Sequence, residues 1–594
     1  MFVENNNDGN CYYNIIIIAI TALLFKDCNC YLFFRLNQLS IMSEYLKYFD
    51  SHTQYEQFTG TTYTKPNVSY CEDVKDIHYN PVNYEGKYLT FTVMEAGTFK
   101  FSGNSVDYSL DNGTTWTTLA SNTNSPTVSA GSKIMWKATL TPTSSAGVGM
   151  FSSTARFVAK GNPTSLLYGD NFNGQTDLTG KNYAFYRLFS GCTRLTSAKN
   201  LSLPATTLAN YCYGNMFQGC TSLTTAPSLP ATTLVTYCYN NMFIGCTSLT
   251  TAPELPATTL ANYCYANMFG GCTSLTTAPE LPATTLANYC YYQMFDGCTS
   301  LTTAPELSAT TLATYCYNNM FSNCTSIISV PSKLPATTLA NYCYRNMFLG
   351  CTSLTAAPEL PATTLATYCY NNMFYGCTSL TTAPELPATT LADRCYANMF
   401  GGCTSLTTAP ELSATTLATY CYNSMFAGCT SLTTAPSTLP ATTVTTYCYY
   451  WMFNGCTSLT TAPELPATTL ATYCYGNMFG RCTSLTTAPS TLPATTLATY
   501  CYNNMFYGCA NLTTAPSLPA TTLAMSCYYY MFYGCTNLNS ITCLATNISA
   551  SSCTTDWVNG VASTGTFTKA ASMKTWTTGT SGIPSGWTVK NAAS

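Results

Sequence analysis

The chain has 594 residues, only 8% of them are charged, and the net charge at pH 7 is −3. Soluble proteins usually carry about 25% charged residues, so hydroxyl, amide and tyrosine side chains must cover much of this surface. The near-neutral charge leaves no basic patch for nucleic acid or anionic lipid. The length exceeds what one compact core absorbs, which predicts a repeat array with smaller flanking domains.

Residues 1–41 are a leader with an apolar run over residues 14–25. This run is too short to span a bilayer as a helix, so no integral membrane segment is predicted. Its length suits the apolar part of a signal peptide, but no basic residue precedes it and no small-residue cleavage site follows. Two interpretations stay open: a signal or anchor segment, or a translated leader ahead of a true start at Met42.

Residues 42–85 are predicted to be a connector or attachment segment. Residues 86–160 contain alternating apolar and polar runs separated by glycine, Asn-Gly and Ser-Pro turns, which predicts a small antiparallel β-sandwich domain. The five runs begin at Tyr88, Gly97, Val106, Thr115 and Lys133.

A repeated frame then dominates the chain. Thirteen times a cysteine is followed eight residues later by another within the frame C-Y-x-x-M-F-x-G-C-T-S-L-T-T-A-P, which some copies match with substitutions; the interval is 26 or 27 residues, and a looser copy ends at Cys192. A fixed period of this length indicates one supersecondary unit stacked on copies of itself. We therefore predict a solenoid over residues 161–545 and, because an open-ended array needs closure, a β-rich cap over residues 546–594.

The repeat from Leu249 to Cys272 illustrates the predicted unit. A short threonine-rich strand starts at Leu249 and is stopped by Pro253, because proline cannot donate to a strand ladder. Thr259 is a suitable helix N-cap and Gly271 a suitable C-terminal glycine, with apolar residues on one helical face between them. The predicted fold class is an α/β solenoid, a leucine-rich-repeat-like array of short strands and short helices.

The string M-F-x-G-C-T-S-L, with its proline-bounded strand, resembles the BspA-like leucine-rich repeats of bacterial surface proteins over roughly residues 182–545. Together with its flanks, the chain also resembles repeat proteins encoded by phages of gut bacteria. The resemblance implies adhesion or recognition without a shared catalytic site. This chain departs from the family in its longer period, and Ala-Pro-Glu-Leu stands where the family has Ile-x-Ile-Pro. We therefore expect an irregular strand edge.

The 33 cysteines allow three interpretations: free buried thiols, disulfides or metal sites. On the predicted helix Cys264 and Cys272 would lie about 12 Å apart, whereas a disulfide needs Cα atoms within about 7 Å. Free, buried thiols are therefore favoured. The only histidines, His52 and His78, lie outside the repeats, so neither a metal site nor a cofactor is predicted.

Three positions on the predicted solvent half of the helix vary between copies, those of Ala266, Asn267 and Gly270. The larger residues found there resemble the aromatic contact residues of antibody paratopes. We predict a ligand-binding stripe of Tyr292, Arg345, Tyr375, Tyr450, Trp451, Tyr507, Tyr529, Tyr530 and Tyr533. The alternative is drift at exposed positions. Tyr263 and its equivalents are instead predicted to pack between neighbouring helices.

Seven glutamates share the turn at which the one-residue insertions also occur: Glu254, Glu280, Glu306, Glu359, Glu385, Glu411 and Glu464. We interpret them as an exposed solubilising turn, with a calcium-binding row as the alternative. The Thr-Thr pairs suggest an ice-binding lattice, but a strand broken by proline makes a poor flat lattice.

No catalytic triad, phosphate-binding loop or isolated acidic pair is present, so the chain is not predicted to be an enzyme. We predict an adhesion or recognition protein that binds a cell-surface glycan or protein, located on a phage virion or a bacterial surface. A purely structural virion or surface component is the alternative. No nucleic acid is expected as a partner, and the oligomeric state is not specified by the sequence.

Overall fold

The computed structural model describes residues 87–144, 146–574 and 576–593, together with two short antiparallel strands, β1 (Leu24–Phe25) and β2 (Cys30–Tyr31). Apart from these two strands, the predicted leader and connector lie outside the described residues. In the part of the chain that is described, no helix has the length and apolar character needed to cross a bilayer.

A six-stranded mixed sheet follows. Its spatial order is β10 (Leu195–Leu201), β9 (Arg156–Gly161), β3 (Leu89–Glu95), β7 (Lys133–Lys137), β5 (Val106–Ser109) and β6 (Thr117–Leu119). A separate two-stranded ladder pairs β4 (Phe99–Phe101) with β8 (Phe151–Ser153). Helix α1 (Ser165–Tyr168) and a 3-10 turn (Gly169–Asn171) come after β9. Each of the five runs predicted within residues 86–160 contains one of these strands.

Aromatic side chains join this sheet to the repeats. Alternation along β3 buries Phe91, whose ring lies 5.2 Å from that of Phe99 in β4 and 4.9 Å from that of Phe151 in β8. Both Phe91 and Phe151 also contact Phe189 of the first, looser repeat, at 5.8 and 5.9 Å. Strand β10 of that repeat pairs in parallel with β9. The sheet and the repeats therefore share one hydrophobic core.

The prediction of a helix in each repeat is wrong. In the copy from Leu249 to Cys272, every second amide from Cys264 to Cys272 donates to the carbonyl three residues earlier. The intervening amides, from Tyr263 to Gly271, donate to carbonyls of the next repeat at 2.8–3.1 Å. The segment is therefore a run of consecutive turns, half of whose amides bond laterally to the neighbouring repeat.

Backbone dihedrals give the physical reason. Every fourth residue has a positive φ, as in Tyr263 (58°), Asn267 (54°) and Gly271 (69°), whereas an α-helix needs negative φ throughout. Positive φ at the third residue of a turn is the requirement of a type II turn. A helix would satisfy its amides internally, but this segment leaves alternate amides free to bind the next repeat.

The predicted strand is reduced to isolated parallel bridges. One row joins Thr225, Thr251, Thr277, Thr303 and Ser329 in successive repeats, and a second row includes the pair Thr233 and Thr259. The irregular strand edge expected from the Ala-Pro-Glu-Leu sequence is therefore confirmed. Helices and continuous strands are both absent from the repeats between residues 202 and 539, all of which are described.

Two aromatic ladders fill the interior of the repeats. The buried ring of Tyr265 stacks on Tyr239 at 5.8 Å and on Tyr291 at 5.9 Å. The buried ring of Phe269 stacks in the same way on its neighbours, at 5.7 and 5.5 Å. Because equivalent rings meet in register, each repeat covers the apolar face of the preceding one.

The cysteines from Cys192 to Cys553 are all free and buried. The second cysteine of each repeat donates its thiol to a phenylalanine carbonyl of the preceding repeat, as in the 3.2 Å contact from Cys272 Sγ to Phe243 O. A buried cysteine acts here as a small apolar residue with one weak donor. The interpretation of the cysteines as free, buried thiols is confirmed at these positions.

Repeat packing continues beyond residue 545. Strands β11 (Ser540–Cys543), β12 (Thr566–Lys569) and β13 (Thr588–Asn591) form a parallel three-stranded sheet. Trp557 stacks on Tyr528 at 5.9 Å, and Trp576 stacks on Trp557 at 5.7 Å. Indole rings thus continue the tyrosine ladder after the sequence frame is lost. The boundary at residue 545 stays a prediction.

The buried thiols and phenols predict loss of stability in alkaline solution. Burial raises the pKa of Cys272 and of Tyr265 well above their ordinary values of 9.0 and 10.0. Because the folded-state pKa values are raised, these groups contribute their full stabilisation below pH 9. As the pH rises above 9, the unfolded chain releases these protons while the folded chain keeps them, so the stabilisation is lost. Each buried thiol then removes about 1.4 kcal/mol per pH unit.

We expect the guanidinium denaturation midpoint, followed by circular dichroism, to stay constant up to about pH 8.5 and to fall steeply above pH 9. Thiol titration at about pH 8 should find these cysteines unreactive until denaturant is added. A midpoint that stays constant up to about pH 11 would contradict the buried, protonated state of these groups.

Candidate functional site

The nine candidate residues lie on what we call the turn face, the residues of each repeat equivalent to 262–271. The prediction that the variable positions face solvent is wrong where the residue is small. Ala266 and Gly270 are buried, and Asn318, at the position of Ala266, is only 2% exposed. The reason is that the turn segment lies against its neighbours through lateral hydrogen bonds, whereas a surface helix would hold these positions outward.

Three large side chains on the turn face, those of Ile244, Tyr375 and Tyr450, lie across glycines of the next repeat. A Cβ added to Gly401 would come within 2.9 Å of the ring of Tyr375, and one added to Gly476 would meet the ring of Tyr450 at the same distance. A Cβ added to Gly270 would lie 3.5 Å from the side chain of Ile244. In each pair the glycine makes room for the larger residue 26 positions earlier.

One group of candidates, the Trp451 cluster, consists of Tyr450 and Trp451. Their ring centroids are 5.9 Å apart. Tyr450 stands edge-on to Tyr447 at 5.3 Å and to Tyr473 at 6.0 Å, which fixes its orientation. Trp451 remains 41% exposed. The cluster therefore offers an open indole beside a tyrosine whose position is set by packing.

A second group, the Tyr530 cluster, consists of Tyr507, Tyr529, Tyr530 and Tyr533. Tyr507 and Tyr533 stack at 5.3 Å, Tyr530 meets Tyr533 edge-on at 5.3 Å, and Tyr529 lies 4.2 Å from Tyr530. The hydrogen bond with Tyr529 raises the pKa of Tyr530 above its ordinary value. Four rings and their hydroxyls thus form one continuous surface.

The other three candidates join neither cluster. Tyr292 stands edge-on to Tyr289 at 5.7 Å, and Tyr375 is 46% exposed. Arg345 lies over the rings of Tyr342 and Tyr368, at 5.8 and 5.6 Å. The nine residues therefore form several separate groups along the turn face, and only six of them lie in the two aromatic clusters.

Backbone conformation distinguishes two of the clustered residues. Trp451 and Tyr530 have φ values of 60° and 52°, and most residues at this position of the frame are asparagine, as in Asn267. Asparagine tolerates the left-handed region, whereas for bulky residues it is an outlier. Strained residues of this kind cost about 1–3 kcal/mol each and cluster at functional sites. These two aromatic residues occupy positions that backbone geometry disfavours.

A third aromatic ladder runs along the turn face. Tyr263 stacks on Tyr237 and on Tyr289, at 4.5 and 4.4 Å, so the prediction that it packs between neighbouring units is confirmed, although the units are turns. In one repeat Arg394 takes this position. Its guanidinium lies over the rings of Tyr368 and Tyr420 on either side. Arg394 was not among the predicted site residues, although it is the only basic residue at that position of the frame.

In two repeats the glutamate of this turn forms hydrogen bonds with the next repeat. Glu411 accepts hydrogen bonds from the amide and the hydroxyl of Ser437, both at 3.0 Å, and Glu464 accepts equivalent bonds from Ser490. Both serines belong to turns with an inserted residue. Among the described residues, no group of three or more His, Cys, Asp or Glu side chains is placed to hold a metal ion. The described glutamates of this turn therefore do not form a set of calcium ligands.

Stacked repeats with a buried leucine after each cysteine turn define a leucine-rich repeat protein. The family model described as BspA type Leucine rich repeat region matches the chain in six copies, at residues 182–294, 257–381, 283–407, 314–460, 367–513 and 452–555. These matches span more than half of the chain. The protein belongs to the BspA type leucine-rich repeat family.

Two solved structures are similar to the chain. A leucine-rich repeat protein from Bacteroides ovatus ATCC 8483 shares 18% identity, with 69% of this chain and 86% of that chain covered and a TM-score of 0.40. One from Eubacterium ventriosum ATCC 27560 shares 12% identity, with 69% and 90% covered and a TM-score of 0.32. None of the curated proteins matches the chain.

The strained backbone at Trp451 predicts that Trp451→Asn stabilises the protein by about 1 kcal/mol, because asparagine tolerates positive φ. The matched control is Asn477→Ala at the same position of the next repeat, which should destabilise by a similar amount because alanine lacks that tolerance. Guanidinium denaturation of both variants measures the two effects. A marked loss of stability in Trp451→Asn would show that packing on Tyr450 outweighs the backbone cost.

Proposed function

We propose that this protein is a non-enzymatic adhesion or recognition protein that binds a cell-surface glycan or protein through its turn face. Proteins with BspA-like repeats are generally surface-associated or adhesive. The observation that carries the proposal is the presence of two aromatic clusters, one with an exposed Trp451 and one of partly buried tyrosines, at positions where many repeats have asparagine, alanine or glycine. Trp451 and Tyr530 stand at a position of positive φ where most repeats have asparagine.

The chemistry of the clusters suits a carbohydrate or a protein surface. Trp and Tyr supply large, rigid contact area at low entropic cost and often carry most of the binding energy. Asn477 and Asn504 take the same position of the frame in the two repeats between Trp451 and Tyr530. Sugar rings stack on the aromatic faces while amides and phenols donate to their hydroxyl groups.

The proposal includes a location and an architecture. The array is an elongated solenoid on a phage virion or a bacterial surface, the predicted β-sandwich of residues 86–160 attaches or spaces it, and the tail over residues 546–594 caps it. Free cysteines are compatible with folding in a reducing cytosol before release, as for a phage protein.

The absence of catalysis is also part of the proposal. Burial raises the pKa of Cys192 to about 12 and that of Cys220 well above its ordinary value, so these thiols stay protonated and unreactive at neutral pH. A reactive site also needs unique, convergent groups, whereas the residues of the frame recur in every repeat.

A purely structural role is the second candidate. It is favoured by the pairs in which a large residue lies over a glycine of the next repeat, such as Tyr375 and Gly401, because a passive component needs the same packing. The two candidates differ in what happens when the exposed aromatics are replaced without disturbing the fold.

The test replaces both strained aromatics with the residue common at their position. We expect Trp451→Asn combined with Tyr530→Asn to reduce apparent affinity for target cells or for glycans on an array at least tenfold, because both anchors are removed. Circular dichroism should be unchanged. Tyr292→Asn, which introduces the residue of Asn318 at the same position outside the clusters, is the matched control and should retain binding. Unchanged binding by the double variant would favour the structural role.

A further inference from the structure

Basic residues are rare in the repeats. Between residues 201 and 545 the chain has only Lys333, Arg345, Arg394 and Arg481. Two of these four meet at one tyrosine: the guanidinium carbons of Arg345 and Arg394 lie 5.6 and 5.2 Å from the ring centroid of Tyr368. The turn face therefore concentrates positive charge at one place, which we call the arginine site.

Neither arginine forms an ion pair with an acidic side chain in the part of the chain that the structure describes. Among the described residues, the ion pairs are Lys137–Asp170, Arg156–Glu95 and Arg194–Glu95, all outside this part of the array. Asp393 precedes Arg394 in sequence, but its carboxylate accepts the amide of Thr419 at 3.1 Å. The charge of the arginine site is therefore not neutralised by an ion pair within the described chain.

Packing fixes the orientation of Arg394. Its guanidinium lies over Tyr368 at 5.2 Å and over Tyr420 at 4.3 Å, where it replaces one tyrosine of the ladder. Cation–π contacts on both sides hold the group in place while leaving its N–H donors without a hydrogen-bond acceptor among the described side chains. A guanidinium ordered before binding loses less entropy when a ligand arrives.

Arg345 is also only partly engaged. Its Nε donates to Asn371 Oδ1 at 3.2 Å, and its guanidinium lies over Tyr342 and Tyr368. This leaves the terminal nitrogens to bind a ligand. Two guanidinium groups with free N–H donors match the planar, bidentate geometry of an oxyanion such as a carboxylate or sulfate.

We propose that the arginine site binds an anionic saccharide, one whose carboxylate or sulfate is held by Arg345 and Arg394 while its ring contacts the edges of Tyr342, Tyr368 and Tyr420, whose faces are covered within the ladder. This inference rests on the proposed recognition function and narrows the class of its ligand. It involves repeats other than those of the Trp451 and Tyr530 clusters, so the two sites can be tested separately.

The experiment uses the full chain and three variants built from residues of the frame itself. Arg394→Tyr restores the uninterrupted tyrosine ladder, and Arg345→Asn introduces the residue found at Asn318 and Asn371. Arg481→Gly is the matched control, since it removes one positive charge elsewhere on the turn face. The probes for calorimetric titration are an oligogalacturonate, a sulfated galactan oligosaccharide and a neutral galactan oligosaccharide.

We expect the unmodified protein to bind at least one anionic probe and not the neutral one, with affinity that falls as NaCl is raised. Binding of the carboxylated probe alone, the sulfated probe alone or both supports the proposal and identifies the oxyanion. Arg394→Tyr and Arg345→Asn should each weaken binding at least tenfold, whereas Arg481→Gly should leave it unchanged.

Three results would overturn the proposal: no binding of either anionic probe, equal binding of the neutral probe, or the same loss in Arg481→Gly as in the other variants. If anionic probes fail while Trp451→Asn combined with Tyr530→Asn still abolishes cell attachment, only the arginine site is rejected. Anionic binding that persists in that double variant would confirm that the arginine site acts independently of the aromatic clusters.

Discussion

Alternate amides of the turn segment donate to the neighbouring repeat, and the rest of the structure depends on this lateral bonding. The amide of Tyr265 donates to the carbonyl of Cys290, and the amide of Phe269 donates to the carbonyl of Met294. These bonds set the separation of neighbouring repeats, so the rings of the same residues stack in register. The threonine rows contribute only isolated β-bridges between repeats. Most of the backbone hydrogen bonds between repeats therefore come from the turn face.

The period, the buried leucines and the free cysteines of the repeats could be predicted from the sequence, as could strands such as β3. The helix could not, because apolar residues at Cys264, Tyr265, Met268 and Phe269 fit a four-residue turn pattern as well as a helical face. Asparagine and glycine four residues apart were the available signal. Positive φ at Tyr263 had no such signal, because left-handed tyrosine is disfavoured in isolation.

The candidate site was predictable in part for related reasons. Variation between copies pointed to Trp451 and Tyr530, since replacement of a common asparagine by an aromatic is visible in aligned repeats. Exposure was not predictable, because whether a residue at the position of Ala266 faces solvent depends on the next repeat. Arg394 was overlooked because its position was assigned wholly to packing. In the structure the same side chain packs within the ladder and keeps free donors at its edge.

Where a large residue lies over a glycine of the next repeat, as Tyr375 lies over Gly401, the two repeats form a matched pair. Near-identical repeats in a gene invite unequal recombination, and loss of the unit containing Gly401 would place Ala427 beside Tyr375. The added methyl group would meet a ring already in contact with the backbone. The two repeats of such a pair should therefore be gained or lost together, whereas repeats without such a pair can be exchanged singly.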